Sequence, residues 1–170
     1  MTTLILTVVG SDRPGLVAAV ADVVDEHGGN WGNSRLAELA GTFAGVIEVS
    51  VADERSEELR AALSGLDGLL TVAVHAGAET VTPAEAEQQL TIQVLGNDRP
   101  GIVREISGAL SGHALSIESM TSETRDAAMA GGRLFEAEVI ATLPADADPE
   151  SVRAALERIA ADLQVDISVA

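Results

Sequence analysis

The sequence contains no cysteine and very few aromatic residues. Without cysteine there can be no disulfide, no thiolate metal site and no cysteine nucleophile, and the composition fits the cytoplasmic localisation that we expect. Aromatic residues make up 2% of the chain, whereas hydrophobic residues as a whole make up 46%. The composition therefore predicts a globular protein whose core is built from Val, Leu, Ile and Ala.

Basic residues are also scarce, with 10 Lys and Arg against 27 Asp and Glu, for a formal net charge of -17. Affinity for nucleic acid comes largely from Lys and Arg that neutralise phosphates, so this balance disfavours direct binding to DNA or RNA. It equally disfavours an anionic membrane surface. The apolar run near the N-terminus is too short to cross a membrane and lacks the preceding basic residues of a secretory signal.

No catalytic or metal-binding pattern stands out. The sequence lacks Gly-x-Ser-x-Gly, a P-loop and a Rossmann fingerprint, and its three histidines have no ligand spacing. Asp146-x-Asp148 follows an apolar stretch, as a phosphatase nucleophile can, but Pro149 directly after it indicates that Asp148 caps a helix. We expect a protein that is not an enzyme and that uses neither a metal nor a cofactor.

What the chain does have is an internal repeat. The phrase "VVGSDRPGLV" at residues 8–17 recurs as "VLGNDRPGIV" at residues 94–103. The same alignment places His27 on His113 and Asn30 on Ser116, and later strands and helices recur with extra residues in the second copy. A repeat of this size indicates two similar structural units, and the fold assignment therefore starts from it.

Each unit has the pattern of a strand, a helix, two strands, a helix and a last strand. This β-α-β-β-α-β order predicts an α+β protein of two ferredoxin-like units, each a four-stranded antiparallel sheet with both helices on one face. We place the first unit at residues 1–76, a linker at 77–87 and the second unit at 88–170. The other sheet face is left bare, so we expect the units to pack together and the chain to form a homodimer.

The repeated phrase lies where the first strand of each unit meets its first helix. We expect the two Asp residues to cap the helix, the two Pro residues to lie in its first turn, and Gly10 and Gly96 to adopt backbone angles closed to other residues. Gly15 and Gly101 are poor helix formers. Their presence predicts room for a carboxylate at the free N–H groups of the helix start, and replacing them with Leu should block a ligand without affecting stability.

Units opened by "DRPGLV" and "DRPGIV" resemble the ACT domain, a regulatory module that binds amino acids, and the tandem resembles the glycine cleavage system transcriptional repressor family. The resemblance implies ligand sites where this loop and the start of the second strand face a neighbouring ACT unit. The implied residues are Ser11, Asp12, Arg13, Pro14, Gly15, Leu16 and Asn30, and in the second unit Asn97, Asp98, Arg99, Pro100, Gly101, Ile102 and Ser116.

The two implied sites differ in detail. Asn30 could hydrogen-bond a ligand's carboxylate or amine, whereas Ser116 is shorter, so the sites need not be equivalent. Arg13 and Arg99 could bind a ligand carboxylate. More often such an arginine is solvated or pairs with an acidic neighbour, and we favour that role.

The resemblance implies a regulatory protein that senses a small amino acid of the glycine or serine type. Because the charge disfavours DNA, it would act through a protein partner such as a transcription factor. Two alternatives remain open at this point. The chain could be a regulatory subunit of a metabolic enzyme, or an oligomerisation module that binds no ligand.

Overall fold

The computed structural model describes residues 1–77, 88–127, 131–144, 147–163 and 165–169. The chain divides into two compact units, Met1–Val81 (unit 1) and Thr82–Ala170 (unit 2). Of the predicted linker, residues 77–87, only Gly77 is described, and its N–H donates to the carbonyl of Thr3 at 2.8 Å. Among the described residues, no helix has the length and apolar character needed to cross a membrane.

Both units have the predicted order of elements. In unit 1 the elements are β1 (Thr2–Ser11), α1 (Leu16–Glu26), β2 (Asn30–Leu39), β3 (Thr42–Val51), a short 3-10 turn (Asp53–Arg55), α2 (Ser56–Ser64) and β4 (Thr71–Ala76). In unit 2 they are β5 (Gln88–Asn97), α3 (Ile102–Gly112), β6 (Ser116–Asp126), β7 (Arg133–Leu143), α4 (Pro149–Leu163) and β8 (Val165–Val169).

The sheets confirm the ferredoxin-like prediction. Their strand orders are β2-β3-β1-β4 and β6-β7-β5-β8, with every neighbouring pair antiparallel. The central strand β1 alternates, so that Leu4, Leu6 and Val8 are buried while the residues between them face the other side. That alternation is what a strand covered on one face requires.

Each core is mainly aliphatic, as the composition predicts, with Phe43 in unit 1 and Phe135 in unit 2. In unit 1 the inward residues of β1 pack with Leu16, Val20 and Val24 of α1 and with Leu59 and Leu63 of α2. Since α1 and α2 belong to one cluster with the same sheet face, both helices cover that face. Unit 2 repeats the arrangement, with Ile92 and Val94 in β5 and residues of α3 and α4 in one cluster.

Helix α4 begins as the sequence predicts. Backbone N–H groups of Glu150 and Ser151 donate to the Asp148 carboxylate at 3.3 and 3.2 Å, and the Ser151 hydroxyl donates to it at 2.7 Å. The Ser151 hydrogen bond, followed by that of the Glu150 backbone, lowers the pKa of Asp148. Asp148 is therefore an N-cap, whereas Asp146 lies outside the described residues.

Candidate functional site

The loop between β1 and α1 is held to the neighbouring hairpin by its backbone. The Asp12 N–H donates to the carbonyl of Gly41 at 2.9 Å, and in unit 2 the Asp98 N–H donates to the carbonyl of Arg133 at 2.8 Å. The remaining loop residues of unit 1, through Gly15, are exposed. The repeated phrase thus forms an anchored but solvent-facing loop.

The expectation that Asp12 and Asp98 cap the helices is wrong. The residues at the N-cap positions are Gly15 and Gly101, and neither α1 nor α3 has a side-chain cap hydrogen bond. Pro14 and Pro100 accordingly precede the helices instead of lying in their first turn. The reason is that both glycines adopt the left-handed conformation, which delays the helix until the residue after them.

Gly15 has a φ of 92° and Gly101 a φ of 89°. Glycine is needed at these positions because an L residue is strained there, and not only because a ligand needs room. The room exists as well, since a Cβ at Gly15 would meet no atom within 4 Å. The expectation that Leu at these positions leaves stability unchanged is therefore wrong, because it assumes helical backbone angles.

The start of α1 is left open by this geometry. The first helical hydrogen bond runs from the Ala19 N–H to the Gly15 carbonyl at 2.9 Å. The amides of Leu16, Val17 and Ala18 come before that bond, and no side chain caps them. Such amides, together with the positive end of the helix dipole, can bind a carboxylate.

Arg13 lies in the loop two residues before Gly15 and lines a shallow groove. Its Nη2 donates to the carbonyl of Gly68 at 3.1 Å, in the loop between α2 and β4. The groove holds about 300 Å³ and is also lined by Val9–Ser11 and Gly68–Thr71. A groove of about 390 Å³ lies against Leu95–Asn97 and Val165 in unit 2.

Gly10 and Gly96 shape these grooves by allowing close packing. A Cβ at Gly10 would lie 2.9 Å from Cδ2 of Leu70, and one at Gly96 would lie 2.5 Å from Cγ1 of Val165. Neither glycine has a positive φ, so the expectation of unusual backbone angles is wrong. Glycine is instead required because a side chain at either position would collide with Leu70 or Val165.

Arg99 has a different partner from its counterpart in unit 1. Its Nη1 and Nη2 donate to the two carboxylate oxygens of Glu105 at 3.0 and 2.5 Å. The Arg99 hydrogen bonds lower the pKa of Glu105. Under the alignment of the two copies, the residue at the Glu105 position in unit 1 is Ala19. Sequence reasoning missed Glu105, although this Ala-to-Glu difference could be read from the aligned repeats.

Asn30 and Ser116 lie far from the loops of their own units. Asn30 pairs with Ser50 on β3, whereas Ser11, at the entrance to the loop, pairs with Thr42. Those two β3 positions are separated by roughly 26 Å, at about 3.3 Å per residue. Ser116 and Asn97 are separated in the same way by their partners Thr142 and Leu134.

The predicted site residues therefore fall into two groups at opposite ends of each sheet. Ser11–Leu16 form one group at the β1–α1 loop, and Asn30 forms the other. Within one unit, the loop and the strand start are too far apart to contact the same small ligand. Within the described ranges, no group of three or more His, Asp or Glu side chains could hold a metal ion.

Comparison with known proteins decides the family. Models of the ACT domain match residues 2–76 and residues 90–161. The chain is a tandem ACT-domain protein. It is 25% identical to the glycine cleavage system transcriptional repressor of Escherichia coli over 98% of this chain and 88% of that protein.

Two crystal structures share the fold across nearly the whole tandem ACT-domain chain. A protein of Galdieria sulphuraria has 26% identity and a TM-score of 0.86, over 99% of this chain and 96% of that one. A proposed glycine cleavage system transcriptional repressor has 18% identity and a TM-score of 0.75 over the same shares of the two chains. The ACT fold and the tandem arrangement predicted from the repeated phrase are thus confirmed.

Proposed function

We propose that this tandem ACT-domain protein is a non-enzymatic sensor of a small amino acid of the glycine or serine type. The observation that carries the proposal is the uncapped start of α1, with no atom where a Gly15 Cβ would lie and with Arg13 in the loop that precedes the helix. The ACT family and the name of the Escherichia coli relative support a regulatory role in amino-acid or one-carbon metabolism.

The residues of the loop suit the two charges of a free amino acid. The ligand carboxylate would accept hydrogen bonds from the first amides of α1 and from the Arg13 guanidinium. The Asp12 side chain is exposed and makes no hydrogen bond within the described part of the chain, so its carboxylate is available to the ligand ammonium. The small groove beside Gly10 favours a small ligand side chain.

The site is completed by a second ACT unit. Asn30 lies at the opposite end of the sheet from its own loop, so it would act on a ligand held by the loop of a unit placed head to tail against it. Its side-chain amide can donate to the ligand carboxylate and accept from the ligand ammonium. Ser116 at the equivalent position would make fewer contacts.

The output of the sensor passes through a protein partner. A chain with a net charge of -17 repels the phosphate backbone, so control of transcription would require contact with a DNA-binding protein. Ligand binding would change the affinity for that partner, and linkage requires that the partner change the affinity for the ligand by the same factor.

The proposal is tested by thermal unfolding of the whole chain with each common amino acid in turn. A specific ligand at one hundred times its dissociation constant should add about 2.7 kcal/mol of stability. Arg13→Gln should reduce that stabilisation for the ligand found. Arg104→Gln, an exposed arginine of α3 that is not part of the β1–α1 loop, is the matched control. If no amino acid stabilises the protein at millimolar concentration, the sensor proposal is wrong.

The partner is tested separately by co-purification of the tagged chain with and without that amino acid. Enrichment of a DNA-binding protein that changes with the amino acid supports transcriptional output. Enrichment of a metabolic enzyme would instead make this chain a regulatory subunit, and would contradict the transcriptional part of the proposal.

A further inference from the structure

The sheet of unit 1 has one face that α1 and α2 do not cover, which we name the outer face. Cross-strand register places one row of this face at Ala37, Ala44, Val9 and Thr71, and the next row at Arg35, Val46, Thr7 and Ala73. Val9 is 45% exposed and Val46 is 46% exposed, and Leu39 at the rim is 80% exposed. These side chains form a contiguous patch that is mostly apolar.

The same two rows are acidic in unit 2. Its first row is Glu123, Glu136, Leu95 and Asp166, and its second includes Thr121, Glu138 and Gln93. The four carboxylates stand where unit 1 has Ala37, Ala44, Thr71 and Val46. The equivalent faces of the two units therefore differ, one being mostly apolar and the other charged.

Glu123 and Glu136 sit directly opposite each other on neighbouring strands, an arrangement that is unfavourable for like charges. The Arg125 Nε donates to Glu136 at 3.1 Å, which offsets part of that repulsion. The carboxylates of this face are more stable when exposed to solvent than when buried in an interface. The corresponding row in unit 1 contains no ionisable group and has no such need for solvent.

The charges of the outer face of unit 1 indicate what covers it. In β1, β2 and β3 its charged residues are Arg35 and Glu48, which carry opposite charges, and Glu48 also accepts a hydrogen bond from Asn33. His75 of β4 lies in the same row as Glu48. An acidic surface is a poor cover, because its carboxylates would lose water against Val9 and Val46. A neutral, apolar face is compatible with a copy of itself, as a twofold contact requires.

The size of the face fits such a contact. Strands β1 and β3 are each ten residues long. With a rise of about 3.3 Å per residue and strands about 4.8 Å apart, a four-stranded face covers roughly 600 Å². Two faces would bury about 1,200 Å², which is at the lower end of the range for specific interfaces.

We propose that two copies of the chain associate through the outer face of unit 1, in a twofold contact centred on Val9, Ala44 and Val46, while the acidic outer face of unit 2 stays in water. Val9 and Thr71 line both this face and the groove beside Arg13, whereas Ala44 and Val46 do not line that groove. Variants at Ala44 and Val46 therefore test the contact separately from the amino-acid site. The dimer therefore forms through the outer face of unit 1, whose side chains differ from those on the equivalent face of unit 2.

Sedimentation equilibrium of the whole chain over a wide concentration range tests this proposal. Val46→Glu gives unit 1 the residue that unit 2 has at Glu138, and should raise the dimer dissociation constant by at least about a hundredfold, because each interface contains the buried carboxylate twice. Glu138→Gln, at the matched position of unit 2, should leave that constant unchanged.

Ala44→Glu is the second variant, which introduces the side chain that unit 2 has at Glu136, and it decides the outcome if Val46→Glu does not fold by circular dichroism. A wild-type chain that is monomeric at every concentration would overturn the proposal. So would a dimer that persists unchanged in a folded Val46→Glu or Ala44→Glu variant, because the contact would then lie on another surface.

Discussion

Arg99 binds Glu105 through both carboxylate oxygens, at 3.0 and 2.5 Å, across the first turn of α3. In unit 1 the position of Glu105 is occupied by Ala19, and Arg13 instead donates to the carbonyl of Gly68 beside the groove. One change in a duplicated helix thus gives the two arginines of the repeated phrase different surroundings. The proposed amino-acid site uses Arg13 because Ala19, at the position of Glu105, offers no carboxylate to compete with that of the ligand.

Exchanging these two residues between the units tests their effect on the ligand. Ala19→Glu offers Arg13 the same carboxylate partner that Arg99 has, and should weaken amino-acid binding about tenfold, because the carboxylate competes with that of the ligand. The measurement is a calorimetric titration with the amino acid found in the stability screen. Glu105→Ala is the matched change in unit 2 and should not weaken binding. Equal losses in both variants would show that Arg13 has no special part in the site.

The left-handed glycines predict a stability difference. Gly15→Ala should destabilise the protein by about 1–2 kcal/mol, because an L residue at a φ of 92° is strained even though its Cβ meets no atom. Gly108→Ala, in the middle of α3 and equally unobstructed, should stabilise it by about 0.5–1 kcal/mol. Both effects are measured by thermal unfolding, and an unchanged melting temperature for Gly15→Ala would argue against the left-handed conformation.

The Asp148 cap predicts a pH-dependent stability. The pKa of its carboxyl is lower in the folded protein than the ordinary value of 3.8, because Ser151 and the Glu150 amide hydrogen-bond the charged form. The cap therefore contributes stability above pH 3.8 and loses that contribution as the pH falls through the lower folded pKa. Asp148→Ala should lower the melting temperature by a few degrees at pH 7 and by less in acid.

Asp148→Asn is the control for that variant, because Asn is an equally good N-cap but does not titrate in this range. It should retain most of the wild-type stability at pH 7. A melting temperature as low as that of Asp148→Ala would indicate that the charge matters and that the cap geometry does not.

The acidic composition predicts the absence of direct DNA binding. The purified chain should not shift the mobility of duplex DNA even at low salt, where electrostatic binding is strongest. Adding the protein partner identified by co-purification is the positive arm of the experiment. A salt-sensitive complex of DNA with the chain alone would contradict the proposed route through a partner.

Much of this structure can be predicted from the sequence, and the failures have local causes. The alternation of Leu4, Leu6 and Val8 and the repeat specify strands, helices and sheet topology, and the cap at Asp148 follows from the proline after it. The same rule fails at Asp12, because the left-handed backbone of Gly15 moves the helix start. Residue type alone does not determine that φ angle.

The placement of Asn30 is foreseeable from topology alone. A helix that returns along a sheet puts the start of the next strand at the opposite end from the preceding loop, so loop and strand start cannot share a site within one unit. The chemistry of the two outer faces, by contrast, requires the register. Only cross-strand pairing shows that Glu123, Glu136 and Asp166 occupy one row and that Ala37, Ala44 and Thr71 occupy its equivalent.

The most direct test of the account is a calorimetric titration of the whole chain with glycine and with serine, alongside the Arg13→Gln and Arg104→Gln variants. We expect saturable binding of one of these amino acids to the wild-type chain and to Arg104→Gln, with affinity reduced about tenfold or more in Arg13→Gln. Binding of equal strength in all three proteins would place the ligand away from the β1–α1 loop. No binding of either amino acid to the wild-type chain would contradict the proposed function.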